Sequence, residues 1–330
     1  MLIPDPPESA DLRPLAGDVL RLTGETMGTY WRASVVAAGA DADRIGRTVA
    51  GACDEVIRQM SQWDPASELS RFNHAPGGVE MSISPGFAHV LDCALTIQDR
   101  SGGAFDPLLG DASEAWGFGV AAPPETIEEQ ACEGRETSSM PFDAAARKLT
   151  QPGGSLLDLS AIAKGFAVDL CLARLVAAGW DNALVEIGGE LAGRGVKPNG
   201  LPWWVDIEGP PGLPVPPARI ALCGWAVATS GDWHRRREAE GQSWSHTLDP
   251  AMRRPLAQAS RAATVLHPSC MQADGLATAL MVLDPGQALA FADRYGLPAR
   301  IVDRHGQVLR SERWAAMARP EEQLERKASA

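Results

Sequence analysis

Apolar positions recur along this chain with two spacings, and each spacing predicts a different kind of element. Ile45, Val49, Cys53, Val56 and Met60 fall three or four residues apart, so an amphipathic helix is expected over about 42–61. A second helix opens at SISPGF, with Ser84 as N-cap and Pro85 in the first turn. It carries Phe87, Val90, Leu91 and Leu95 to a stop at Gly102-Gly103. A third opens within DLSAIAKGFAVD, residues 158–169, and ends at Gly179. MQADGLATALMVL predicts a fourth and residues near 286–295 a fifth.

Between these lie runs rich in β-branched and aromatic residues, broken by glycine-bearing turns: VLRLTGETMGTYWRASVVAAG, NALVEIGGELAGRG, WWVDIEGPPG, RIALCGWAVATSGD, SWSHTLDP and ARIVDRHGQVLRSER. Strands and helices mix without a regular βαβ beat, which predicts an α+β fold rather than a doubly wound one. Residues 1–20 read as a Pro-rich leader, 21–310 as one domain and 311–330 as a charged tail, whose end, RPEEQLERKASA, is expected to fray. The Pro-, Glu- and Ser-rich stretch 119–153 reads as a connecting excursion.

Composition narrows the function. The 330 residues are 45% hydrophobic and 22% charged, an ordinary globular balance. Thirty Lys and Arg against forty-two Asp and Glu give a net charge of −12, which disfavours nucleic acid and anionic membranes as partners. An anionic ligand would need local help from a metal ion or a helix N-terminus. The six cysteines form no CxxC pair, so free thiols are expected. The N-terminal residues lack the basic and apolar regions of a signal peptide, and the longest uncharged apolar stretch, between Arg219 and Asp232, is too short for a bilayer helix. A soluble, cytoplasmic chain without membrane insertion is the expectation.

Six places could carry chemistry. Asp274 and Thr278 stand i, i+4 on one helical face and could offer oxygens to a hard cation such as Mg2+, unless the threonine simply bonds back to its own turn. DLSAIAKG offers helix N-terminal amides and the charge of Lys164 to a phosphate, although its spacing is neither a P-loop nor a dinucleotide fingerprint. The turns SGGAFDP and EIGGE each bring backbone and an acid, Asp106 or Glu190, where a ligand could approach. His246, near Asp249, could be a general base, a ligand contact or a structural hydrogen-bonding group. Trp63 could stack on a planar ligand.

Taken together and in order, ETMGT, WDPASELSRFN, GGAFDPLLG, WGFG, LDLSAIAKGFAVD, LVEIGGE, ATSGD, SHTLDP and ADGLATAL resemble the ApbE family of FAD:protein FMN transferases, over about residues 22–285. The resemblance implies mixed and antiparallel sheets packed with helices, and an FAD cleft between two intimately associated subdomains. It implies a reaction in which Mg2+-bound FAD is cleaved at its pyrophosphate. FMN is then joined to a Ser or Thr of an acceptor flavoprotein, and AMP leaves. By the same resemblance Met27, Trp63 (where the family often has Tyr), Ala104, Phe105, Asp106 and Asp158 would contact FAD. The main-chain carbonyl of Ala161 with Asp274 and Thr278 would hold Mg2+, Lys164 would add positive charge at the pyrophosphate, and His246 and Asp274 would be catalytic. An FAD pyrophosphatase and a non-catalytic FAD-binding protein are the alternatives. The loop DPAMRRPL departs from the family's DPRTGxP, and the exported leader of many relatives is missing.

Overall fold

The computed structural model describes residues 1–7, 11–120, 140–154, 156–239, 241–256 and 260–318. Most of the excursion expected at 119–153, Cys132 and the frayed end of the tail lie outside them.

Most of the predicted strands, with Ala262–His267, assemble into one eight-stranded sheet in the order Asp18–Thr26, Thr29–Ala37, Ala183–Ile187, Glu190–Arg194, Trp225–Gly231, Ala262–His267, Ala299–Val302 and Val308–Arg310, while WWVDI and SWSHTLDP form small two-stranded sheets. Every neighbouring pair is antiparallel. Two-residue turns close two of its hairpins. Met27 and Gly28 both take positive φ, as do Gly188 and Gly189, and this left-handed backbone matches the twist of the flanking strands.

Side-chain alternation divides the sheet's two faces. Val35, Val185, Ala226, Ala228 and Val265 join the main core, while their neighbours Val36, Leu184, Val227 and Leu266 join a second cluster on the opposite face. Against the first face pack the helices Ala42–Met60, Pro85–Arg100, Ala163–Ala177, Cys270–Val282 and Pro285–Arg294. The second cluster is closed by the Trp203–Ile207 and Ala218–Leu222 hairpin, by Leu2, and by Trp314 of the Glu312–Met317 helix. Leu2 bridges both Ile220 and Ala318. Part of the expected leader and of the expected tail is therefore packed in the folded body, because both bring apolar side chains that cover this face.

Local chemistry sets the helix ends. Ser84 accepts the amide of Phe87, as a capping residue should. Gly179, at φ +94°, ends the third helix with Trp180 N donating to Leu175 O and Gly179 N to Val176 O. The start of that helix differs from the expectation. Asp158 forms a turn with the amide of Ser160 (2.8 Å), Ile162 lies outside helical backbone, and the helix begins at Ala163. Lys164 is thus its second residue. Two short helices, Glu68–Asn73 and Gly110–Ala115, are too brief to show a period in the sequence. The five described cysteines are free, with Cys53 and Cys171 buried and their sulfurs 4.0 Å apart. No helix among the described residues is long and apolar enough to cross a membrane.

Candidate functional site

Two helices on the same face of the sheet cap each other. The Ala163–Ala177 helix has Ile162 at its N-cap, with no side chain able to cap it. Its third amide, Gly165 N–H, donates instead to Asp274 Oδ2 at 3.0 Å, from the middle of the Cys270–Val282 helix. Asp169, on the first helix, returns the arrangement: its carboxylate accepts Ser269 Oγ–H (2.8 Å), Cys270 N–H (2.8 Å) and Met271 N–H (3.0 Å) at the start of the second. Burial raises the pKa of Asp169, against the pull of these three donors.

Contact this close requires glycine at 165. A Cβ there would lie 2.7 Å from the carbonyl carbon of Cys270 and 2.8 Å from Asp274 Cβ, closer than carbon atoms pack. Gly165 thus makes room for the neighbouring helix.

Around Asp274 the structure builds a buried charge cluster. Lys164 Nζ lies 2.7 Å from Glu190 Oε1 and 4.0 Å from Asp274 Oδ1. Glu190 is 4% exposed and its Oε2 has no hydrogen-bond partner among the described residues; Asp274 is also 4% exposed. Burial works to lower the Lys164 pKa, but the two carboxylates outweigh it and the net shift is upward, so the ammonium is charged at neutral pH. Burial raises both carboxyls against the pull of Lys164. One turn beyond Asp274, Thr278 Oγ1 meets Ser230 Oγ at 3.0 Å, a contact to the sheet that the single-helix view of Thr278 could not supply. Ala161 lies in the turn leading into the first helix, four residues before Gly165.

Three loops gather beside this cluster. The Asp158 amide donates to Pro107 O (2.8 Å) and Gln62 Nε2 reaches Ser160 Oγ (3.5 Å), so WDPASELS, GGAFDPLLG and DLSAIAKG meet. Asp106 accepts from Gln98 Nε2 and from Leu108 N, both at 2.8 Å, and burial raises its pKa. Phe105 and Ala104 are buried, with the Phe105 ring in the main core. Their side chains serve packing, which leaves backbone as the part that could reach a ligand. Trp63 is 50% exposed, its loop fixed by Ser61 Oγ accepting the amides of Trp63 and Asp64. Met27 sits half-buried at the tip of the first hairpin, against the main core.

His246 faces this region from the other side. Its amide donates to Arg235 O at 3.1 Å, its Nδ1 lies 3.3 Å from the same oxygen, and its ring meets Phe118 edge-on with centroids 6.2 Å apart. Loss of solvent pushes its pKa down to about 4. The carbonyl of Arg235 opposes that shift, and the charges of Arg235 and Lys164 add to it. The imidazole is therefore neutral at pH 7 and free to take a proton. WGFG and SHTLDP are tied together as Trp116 Nε1–H donates to Arg253 O (3.0 Å), Trp244 Nε1–H to Trp116 O (3.3 Å), and Arg253 pairs with Asp111. Thus the loop DPAMRRPL contributes a buried arginine to the frame of the site.

Residue type alone did not single out Asp169, Ser230 or Phe118. Glu190 carried a signal, an acid directly after a glycine pair, but its partner is set only by the fold. Among the described residues no three His, Cys, Asp or Glu side chains are grouped to hold a metal. The donor set expected here contains one carboxylate with a hydroxyl and a carbonyl. Asp274 Oδ1 accepts no hydrogen bond among the described residues, and the Thr278 hydroxyl keeps a lone pair beyond its contact with Ser230. Hard oxygens of this kind fit Mg2+.

A model of the ApbE family matches residues 27–301 of the chain. The FAD:protein FMN transferase of Vibrio cholerae is 33% identical over 294 residues, which cover 86% of this chain and 87% of that protein. The enzyme of the same name from Escherichia coli K12 is 30% identical over 307 residues, 88% and 86% of the two chains. Among solved structures, the apo flavinyl transferase ApbE of Pseudomonas stutzeri superposes with a TM-score of 0.81 at 32% identity, covering 91% of this chain and 96% of that one. The flavin transferase ApbE from Vibrio cholerae gives 0.81 at 29% identity, covering 92% and 100%.

Proposed function

The chain belongs to the ApbE family, and from that premise we propose that it is a Mg2+-dependent FAD:protein FMN transferase. It moves the FMN moiety of FAD to a Ser or Thr hydroxyl of an acceptor flavoprotein. The new bond joins the hydroxyl oxygen to the FMN phosphorus; the pyrophosphate P–O bond breaks and AMP leaves with its electron pair. The observation that carries this reading is the contact between Asp274 and the start of the Ala163–Ala177 helix. It brings a carboxylate, a hydroxyl and the turn bearing the Ala161 carbonyl into one neighbourhood beside a charged lysine.

Asp274, Thr278 and the carbonyl of Ala161 would hold Mg2+, which when bound neutralises charge on the pyrophosphate. Lys164 supplies a fixed positive charge within a chain of net charge −12. Neutral His246 accepts the proton of the acceptor hydroxyl as it attacks; the loss of solvent that lowers its pKa keeps the ring unprotonated at pH 7. Trp63, exposed on a fixed loop, stacks on a ring of FAD, and Met27, Asp106, Asp158 and the backbone at Ala104 and Phe105 line the same ligand. The amide of Gly165, already taken by Asp274, does not serve the phosphates.

The test is to incubate the protein with FAD, Mg2+ and a candidate acceptor domain and to follow mass. An acceptor that gains one FMN and an equal yield of AMP support the reading. Free FMN with AMP and an unmodified acceptor would make the protein a pyrophosphatase, and intact bound FAD would make it a flavin-binding protein.

A further inference from the structure

Glu190 carries no role in the transfer just described, yet it is as deeply buried as Asp274 and its Oε2 has no hydrogen-bond partner among the described residues. It opens the Glu190–Arg194 strand directly after the Gly188-Gly189 turn, paired with Ile187 across the hairpin and on the same face as Ala192, the helix-bearing face. That turn is stiff. Both glycines hold positive φ, and a Cβ at Gly188 would come within 2.9 Å of Thr29 Cγ2 on the next strand. The carboxylate is therefore anchored by the sheet, whereas Lys164 reaches it on a flexible four-carbon stem.

Lys164 has two acids to choose from and is drawn to one. Its ammonium is in hydrogen-bonding contact with Glu190 at 2.7 Å and stands off from Asp274 at 4.0 Å. Glu190 thus holds the ammonium in contact, while Asp274 Oδ1 accepts no hydrogen bond among the described residues. We propose that Glu190 is a positioning residue that tethers Lys164 away from Asp274, so that the Asp274 carboxylate stays available to a divalent cation. Without the tether the ammonium would close on Asp274, the nearest remaining anion, and occupy the oxygen the metal needs. The inference rests on the reading of Asp274 as a metal ligand, and it adds that Lys164 and the metal compete for that residue.

The experiment is calorimetric titration of Mg2+ alone into the full chain, with thermal melts to confirm folding. Glu190→Gln should weaken Mg2+ binding by about tenfold or more, as one full charge closes on the ligand in a medium of intermediate polarity. Lys164→Met, which removes the competitor and keeps Glu190, should bind Mg2+ as tightly as the parent or more tightly. The double variant should recover the affinity that Glu190→Gln lost. A purely structural Glu190 would give the same loss with and without Lys164. The proposal is overturned if Glu190→Gln binds like the parent, if the double variant binds no better than Glu190→Gln, or if Lys164→Met itself weakens binding. Should Glu190→Gln fail to fold, the Lys164→Met result still decides. A parent that binds no Mg2+ would remove the metal reading together with this one, whereas a parent that binds and a Glu190→Gln variant that binds equally would remove only the tether.

Discussion

Replacing Gly165 by alanine tests the helix contact on which the site depends. The new Cβ would sit 2.8 Å from Asp274 Cβ and 2.7 Å from the carbonyl carbon of Cys270, where carbon atoms normally approach to about 3.5 Å. Relief needs a separation of roughly 0.7 Å or more. The obstacles are the backbone and a Cβ and not a flexible side-chain end, so the helices themselves must move. Overpacking of this kind costs about 1–3 kcal/mol. Moving the helices apart also weakens the Gly165 N–H···Asp274 bond, a hydrogen bond to a charged group worth about 1.5–3 kcal/mol. Alanine recovers at most about 1 kcal/mol of helix propensity. The net destabilisation is about 3 kcal/mol, which for a chain of this size lowers Tm by roughly 4 °C. Thermal denaturation reads this directly, and Mg2+-dependent FMN transfer should fall with it because Asp274 is displaced. A Gly165→Ala protein that melts within about 1 °C of the parent and retains full transfer would refute the reasoning.

Further outcomes follow from the same geometry. Asp274→Ala should abolish Mg2+-dependent transfer in the acceptor mass assay, and activity within tenfold of the parent would remove the residue from the metal set. His246→Ala should keep FAD binding while transfer falls by about 10²–10⁴-fold. Because loss of solvent holds the folded His246 pKa near 4, the parent's rate should not lose this base between pH 8 and about 5. As the unfolded chain takes up that proton first, near its usual value of about 6.5, the residue's contribution to stability should decline as pH falls from about 6.5 to 4. A rate that drops with a midpoint near 6.5 would contradict the environment described. Trp63→Ala, at a half-exposed site, should change stability by no more than about 0.5 kcal/mol yet raise the KM for FAD several-fold; an unchanged KM would remove Trp63 from the ligand.

Much of this protein could be read along the chain because local chemistry is decided locally. The stripe from Ile45 to Met60, the Ser84 cap, the Gly179 stop and the Met27-Gly28 and Gly188-Gly189 turns each depend on residues within a few positions of one another, and each forms as the sequence indicates. The ordered motifs indicated the family for the same reason. What the chain could not show is which groups meet across the fold. DLSAIAKG suggested a helix start, but the Asp158 carboxylate was satisfied within its own turn and the helix began later, capped by an aspartate 109 residues away. Asp274 and Thr278 could be placed on one helical face from spacing alone. That one takes the amide of Gly165 and the other the hydroxyl of Ser230 was decided by how the helices pack on the sheet. Likewise Lys164 was visible as a charge, but its partner was not, because Coulombic and hydrogen-bonding choices depend on distances of a few ångströms that only close packing sets.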